Sequence, residues 1–411
     1  MSQPTCSIDE SEPFPVYAPA GVEELAECVR DAGHSGRAIY PVGGRTSLHL
    51  GYPPSRPGLA VDTRQLAGVI DYPARDMTIT VQAGLTVAQL DAVLRAEGQR
   101  LPVDVPCPEQ ATVGGAIAVN ASGPRRHGLG TFRDYVLGLS LVNDQGQQVK
   151  SGGRVVKNVA GYDIHKLMVG SLGTLGIITQ VTFKLKPRPE ASAIVAMACP
   201  TPRLGELLDT LHRSRTYPVT LELVNATTLK QLHGVADLPP AEWYVLVGYE
   251  EKATTVRDQI ARLCDEVRVA HVEPIALTDG RDGPLWASLV RAPQGIAIKA
   301  NLLPSAVAGF CQQLTQRQPE AAVQAHAGVG IVLAQLPPTL PFNALADLLQ
   351  WLQESAQAAS GNVVVLRCPP AWKRDLPLWG SPRGDWPLMR AIKAKLDPRG
   401  LFNPGRFIDR L

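Results

Sequence analysis

Apolar residues repeat along this chain with two periods, and the switches between them mark its elements. Val22, Leu25, Ala26 and Val29 recur at helical spacing with acidic Glu23 and Glu24 in the first turn, which predicts a helix over residues 22–32 stopped by Gly33. Short β-prone runs come next at 38–42, 59–62 and 77–82, and residues 86–97 read as an amphipathic helix with Thr86 as N-cap and Gly98 past its end. From Val136 the pattern turns strand-rich, and the polar turn Asn143-Asp144-Gln145-Gly146 between two β-prone runs predicts a hairpin. A β-branched run at 177–185 ends at Lys186-Pro187-Arg188-Pro189, where the prolines mark a boundary.

Beyond that boundary, strands are expected at 192–199, 219–224 and 243–249, with helices at 203–214 and 253–267. A second round has strands at 296–302 and 329–335 and helices at 305–317 and 343–359. Two such rounds predict one antiparallel sheet covered by helices on one face, an α+β cap domain. The last segment, 367–411, is dense in Pro, Trp and Gly and holds one helix at 387–396. It reads as a compact tail packing back on the first domain, with Trp372, Trp379 and Trp386 as candidate anchors for a partner subunit.

Composition narrows the function classes. The chain has 411 residues, enough for two or three domains, and a net charge of +2 implies no polyanionic partner such as nucleic acid. Seven scattered cysteines without a C-x-x-C pair argue against a disulfide framework and against an iron–sulfur or zinc site, so no metal is expected here. The first fifteen or so residues lack a basic region leading into an apolar stretch, and no apolar window approaches the roughly 18 residues of a membrane span. The expectation is a cytoplasmic protein.

Three glycine clusters carry the candidate chemistry. The first is Val42-Gly43-Gly44-Arg45-Thr46-Ser47, the second Thr112-Val113-Gly114-Gly115 with Asn120 and Ser122-Gly123 after it, and the third runs from Gly170 through Gly173 and Gly176 to Ile178. Glycines let backbone N–H groups approach an anionic pyrophosphate with a flat ring system attached, so the reading is a flavin site. The first cluster is neither a Walker loop nor a Rossmann fingerprint.

The order of these clusters resembles the FAD domain of the vanillyl-alcohol oxidase and p-cresol methylhydroxylase (PCMH-type) family. Two further runs, residues 157–163 and Asp397-Pro398-Arg399-Gly400-Leu401-Phe402-Asn403-Pro404-Gly405-Arg406-Phe407, are similar to the FAD-binding E subunits of bacterial glycolate oxidases. The resemblance implies a two-subdomain PCMH-type FAD-binding domain at 1–188, a cap or substrate-side domain at 189–366 and a returning tail at 367–411. It also implies FAD at the glycine clusters. Gly43 to Ser47 would wrap the pyrophosphate, Thr112, Gly114, Gly115 and Ser122 would line the diphosphate, ribityl and ring region, and Gly176 and Ile178 would meet the ring or ribityl through backbone atoms. Arg45 stands where the covalent His of the family would be, so the FAD is expected to be non-covalent. His49, Cys107 and His127 lack the context to replace that His.

The function this resemblance implies is that of the FAD-binding subunit of a glycolate oxidase (glycolate dehydrogenase) complex. Glycolate is oxidised to glyoxylate, and electrons pass through a catalytic flavin subunit and an iron–sulfur subunit to the inner face of the cell membrane, reached only through those partners. The alternatives are a self-sufficient FAD-dependent 2-hydroxy acid dehydrogenase and a non-catalytic flavoprotein subunit. Catalytic relatives carry a His-x-Gly-Asp-Gly-Asn-x-His stretch, whereas this chain has His326-Ala327-Gly328-Val329-Gly330-Ile331-Val332-Leu333. A single imidazole there does not assemble a metal site, and no catalytic residue is assigned. Arg291, Lys299, Arg367 and Lys373 are the cations that would clamp a carboxylate if they converge.

Overall fold

The computed structural model describes residues 4–9, 11–153, 162–235, 238–268, 272–277 and 283–411. They form two compact units, one comprising Met1–Ser122, Thr131–Arg188 and Pro382–Leu411, the other Gly123–Gly130 and Pro189–Ser381.

The described residues of the first unit hold two larger sheets and a two-stranded one. Strands Thr5–Cys6, Phe14–Tyr17, Gly58–Asp62 and Ala38–Val42 form the first in that spatial order, the last three running parallel. Helix Val22–Ser35 buries Leu25, Ala26, Val29 and Ala32 in a core shared with Ile39, Val61 and Phe402. This helix does not stop at Gly33 as its composition predicts. It continues to Ser35 and ends at Gly36, whose left-handed φ of 67° suits a residue without Cβ. Gly33 instead makes room for Arg399, since a Cβ there would sit 2.4 Å from the guanidinium.

The second sheet is antiparallel, in the order Val69–Asp71, Thr78–Gln82, Ile177–Lys184, Val136–Val142 and Gln148–Gly152. The expected hairpin is its last pair, and Asn143 Oδ1 closes the turn by accepting from the N–H groups of Gln145 and Gln147. Thr86 caps helix Val87–Ala96 in a reciprocal box with Gln89. The proline-bearing stretch expected to be a plain boundary is itself a short strand, Lys186–Pro187, paired with Gln99–Arg100.

The second unit is built on one eight-stranded antiparallel sheet. Its order is Pro274–Leu277, Ala191–Cys199, Trp243–Glu251, Thr220–Asn225, Ala322–His326, Ile331–Leu336, Ile296–Asn301 and Asn362–Arg367. Helices Leu204–His212, Ala253–Val267, Val307–Arg317 and Phe342–Ala358 pack against it. Two stretches group differently from the sequence-based division. Gly123–Gly130 joins the second unit, where Gly128 donates its N–H to Val219 O and Arg125 Nε donates to Glu250 Oε1 at 2.8 Å beneath the ring of Trp286. Residues 367–381 also stay there. Asn362–Arg367 is an edge strand, Val365 N–H bonds Leu378 O, and Trp372 meets Phe342 edge-on at 5.7 Å, so only Pro382 onward returns to the first unit.

Among the described residues, no helix is long and apolar enough to cross a membrane. Residues 157–161 of the run that resembles the E subunits lie outside the described residues.

Candidate cofactor site

Strand Ala38–Val42 runs beside Gly58–Asp62 and delivers the chain into the turn Gly43-Gly44-Arg45. The two glycines are required by close approach. A Cβ on Gly43 would lie 2.2 Å from Thr112 Oγ1, and one on Gly44 would lie 1.7 Å from the backbone oxygen of Gln110. Bare backbone here lets the first and second glycine clusters lie against each other. Thr112 is buried and caps the short helix Val113–Ala118 by accepting from Gly115 N–H.

A partly open cavity lies within the first unit where these clusters meet the third. Val42, Gly43, Gly44, Arg45, Thr46, Ser47, Thr112, Gly114, Gly115, Gly176 and Ile178 all line it, so the structure brings together eleven of the twelve residues singled out in the sequence. Ser122 is not among the lining residues. Neither are His49, Cys107 and His127.

The donors of the site differ from cluster to cluster. Val113 and Gly114 spend their N–H groups on Leu85 O and Ala83 O, and Gly115 spends its own on Thr112. The second cluster therefore walls the cavity without offering those N–H groups. In contrast, the five successive N–H groups of Gly43 to Ser47 donate to no acceptor among the described residues. Unspent backbone donors in succession form an anion-binding concavity, and unmet N–H groups in a protein cavity call for a ligand or water.

Charge around the turn has the matching sign. Arg45 adopts a left-handed φ of 60° and its guanidinium reaches Asp62 Oδ2 at 3.3 Å, while Arg64 holds the same oxygen at 2.6 Å. Burial pushes the Asp62 carboxyl up, but the hydrogen bonds and charge of Arg64, with Arg45 behind, overcome it and hold the group below its ordinary value. Arg406 lines the cavity and donates to the carbonyls of Leu48, Leu50 and Tyr52, which fixes the loop after the glycine turn. Burial lowers this guanidinium to about 10, with Asp9 and Tyr40 pulling the other way.

Asn403 and Arg406 escaped assignment from sequence. Asn403 joins two clusters, its N–H donating to Ile39 O and its Nδ2 to Leu172 O at 2.6 Å. The signal was present in the turn-dense run Asn403-Pro404-Gly405-Arg406, which resembled a family motif without suggesting what it touches.

The second unit carries a separate polar cluster. Glu222, fully buried, accepts from Gln324 Nε2 at 2.8 Å and lies 2.7 Å from His326 Nδ1. His326 is thus engaged by a carboxylate rather than standing alone among apolar residues. The His127 ring packs on Gly328, and burial lowers its imidazole, with His212 adding to the effect. Among the described residues no group of three His, Cys, Asp or Glu side chains is placed to hold a metal ion. Of the four cations expected to clamp a carboxylate, Arg291 donates to Gln231 Oε1 and Arg367 to Pro293 O, Lys373 is buried, and Lys299 is half-buried on strand Ile296–Asn301.

Residues 13–152 match a family model described as an FAD binding domain, and residues 381–407 match the C-terminal domain of FAD linked oxidases. The chain is 27% identical to glycolate oxidase subunit GlcD of Bacillus subtilis, over 97% of this chain and 89% of the relative. It is 27% identical to a D-2-hydroxyglutarate dehydrogenase of Xanthomonas citri, again over 97% of this chain and 89% of the relative. Over a shorter stretch, 43% of this chain and 49% of the relative, it is 37% identical to glycolate oxidase subunit GlcE of Escherichia coli. Its fold is similar to alkyldihydroxyacetonephosphate synthase, with a TM-score of 0.69 at 17% identity, covering 97% of this chain and 78% of that one. The fold is α+β of the PCMH type, FAD is the cofactor, and the chain is an FAD-linked oxidoreductase.

Proposed function

We propose that this chain is the FAD-binding subunit of a glycolate oxidase-type complex, oxidising a small 2-hydroxy acid to the 2-oxo acid, glycolate to glyoxylate in the first instance. The observation that carries the cofactor half of this reading is the run of unspent N–H donors from Gly43 to Ser47. The substrate half is supported by relatives named for glycolate, D-2-hydroxyglutarate and D-lactate, and the subunit half by the 37% identity to GlcE. Electrons would leave through a catalytic flavin subunit and an iron–sulfur subunit, with any membrane association made by those partners.

FAD, when bound, supplies acceptance of the hydride from the carbinol carbon. The N–H groups of Gly43 to Ser47 would hold its pyrophosphate without a covalent link. Thr112, Gly114 and Gly115 would wall the diphosphate and ribityl region, and Gly176 and Ile178 would border the ring or ribityl. Ser122 would act only as a neighbour of this wall. Arg45, steadied by Asp62, would add positive charge beside the pyrophosphate.

A second reading, a self-sufficient 2-hydroxy acid dehydrogenase, is favoured by one observation, the Glu222–His326 pair. A carboxylate on Nδ1 orients the imidazole and leaves Nε2 to accept a hydroxyl proton. Recording the visible spectrum of the purified chain and then adding glycolate anaerobically separates the two. The complex-subunit reading expects a flavin spectrum that glycolate leaves oxidised until the partner subunits are added. Bleaching of the chain alone would establish the second reading, and a colourless protein that takes up no FAD would end both.

A further inference from the structure

Residues 4–9 lie at the edge of the first sheet and reach the cofactor cavity. Strand Thr5–Cys6 is two residues long, paired as Thr5 with Pro15 and Cys6 with Phe14, and Val16 N–H donates to Pro4 O. Past it the chain turns at Asp9, whose φ is left-handed at 58°. Ile8 N–H donates to Ser11 Oγ, and Ser11 N–H donates back to Ile8 O.

Ile8 is 1% exposed and belongs to one apolar cluster with Cys6, Phe14, Tyr40 and Val42, against which Leu48 packs. Val42 leads into the glycine turn and Leu48 follows it. Ile8 also lines the cofactor cavity, as Gly43 to Ser47 do. One apolar side chain thus joins the segment to both ends of the turn that carries the unspent N–H groups.

A two-residue edge strand belongs to the parts of a fold that open locally at low cost. The side chain that seals it, Ile8, stands on the wall of a ligand cavity. We infer that residues 4–9 form a clasp over the first glycine turn, closed through Ile8, that lifts to admit and release FAD. This inference rests on the seating of the pyrophosphate on Gly43 to Ser47 proposed above.

A clasp leaves a kinetic signature that a plain wall contact does not. If FAD passes only while the clasp is open, raising the open fraction speeds entry and exit together and changes affinity far less than either rate. Loss of a simple contact speeds exit alone and weakens affinity by the same factor. Ile8→Ala removes buried carbons that close the clasp, and it is expected to raise both FAD association and dissociation about tenfold. Ile8→Val should lie between that variant and wild type.

Flavin fluorescence reads both rates, association after mixing FAD with FAD-depleted protein and dissociation after dilution of the loaded protein. A second variant, Thr5→Cys/Pro15→Cys, ties the clasp shut. Paired Cα atoms of antiparallel strands lie about 4.5–5.5 Å apart, within the span of a disulfide. Alternation keeps the new bond on the face away from buried Cys6. The oxidised form should exchange FAD at least about tenfold more slowly than wild type, and dithiothreitol should restore the wild-type rates.

An unchanged association rate in Ile8→Ala, or wild-type exchange by the oxidised double variant, would overturn the clasp. If Ile8→Ala does not fold, the double variant decides alone. The seating of the pyrophosphate is tested apart from this by Gly44→Ala, whose Cβ would displace the turn. Loss of FAD in Gly44→Ala with unaltered exchange in both clasp variants keeps the turn and rejects the clasp. Full FAD binding by Gly44→Ala with altered exchange in the clasp variants does the reverse.

Discussion

Lys393 Nζ lies 2.5 Å from Asp397 Oδ2 and donates as well to Thr174 O and Phe402 O. Asp397 in turn accepts from the N–H groups of Leu401 and Phe402. This buried pair ties the C-terminal segment to the third glycine cluster, while Phe402 bridges to Ile39 at the root of the first. The tail is therefore a strut between two walls of the cofactor cavity. Lys393→Met leaves the Asp397 carboxylate buried beside two N–H donors with no cation, at a cost of about 3–5 kcal/mol. Chemical denaturation should read that loss, and FAD content after purification should fall with it. The double variant Lys393→Met/Asp397→Asn should recover part of the stability.

Gly44→Ala should lose FAD binding by at least tenfold, because its Cβ would meet Gln110 O at 1.7 Å and displace the turn. Gly36→Ala is the control for a backbone penalty alone, since its φ is left-handed and nothing lies within 4 Å of the added carbon. Its cost is of the order of 1 kcal/mol with the cofactor retained. Fluorescence of released flavin measures cofactor content in both variants.

Asp62 links stability to pH. Its folded pKa is lowered from 3.8, so the unfolded chain binds this proton more tightly than the folded one. The stabilisation is complete above the unfolded value and is lost as pH falls through the folded value. Asp62→Asn should flatten the fall in unfolding free energy below about pH 4, read by urea denaturation. It should also free Arg45 and weaken FAD binding.

Glu222→Leu should destabilise the protein by about 1–3 kcal/mol, because His326 Nδ1 loses its partner in a buried site while Gln324 Nε2 keeps only Leu289 O. Glu222→Gln keeps an oxygen for one of them and should cost less than half as much. Thermal unfolding of the two variants side by side checks the order.

Much of the cavity was readable because glycine clusters are conspicuous and their order along the chain is specific. The physical reason for two of those glycines was not readable, since Gly43 and Gly44 make room for Thr112 and Gln110 rather than for a ligand alone. A sequence also does not show which N–H groups are already spent, which is why Gly114 and Gly115 looked like donors and are walls. The helix stop at Gly33 failed because Arg399, far along the chain, packs there. The Glu222–His326 pair depends on the register of two strands, one of them the short Ala322–His326, which no clear alternation announced. Trp372 and Trp386 read as one tail, yet the edge strand before Trp372 keeps it in the second unit while Trp386 returns to the first.

A crystal structure of the protein with FAD bound is the decisive measurement. The pyrophosphate oxygens should lie within hydrogen-bond distance, about 3 Å, of the N–H groups between Gly43 and Ser47, with Asn403 and Arg406 at the cavity wall. A pyrophosphate seated elsewhere, with those five N–H groups still facing only water, would refute the assignment of this turn as the flavin grip.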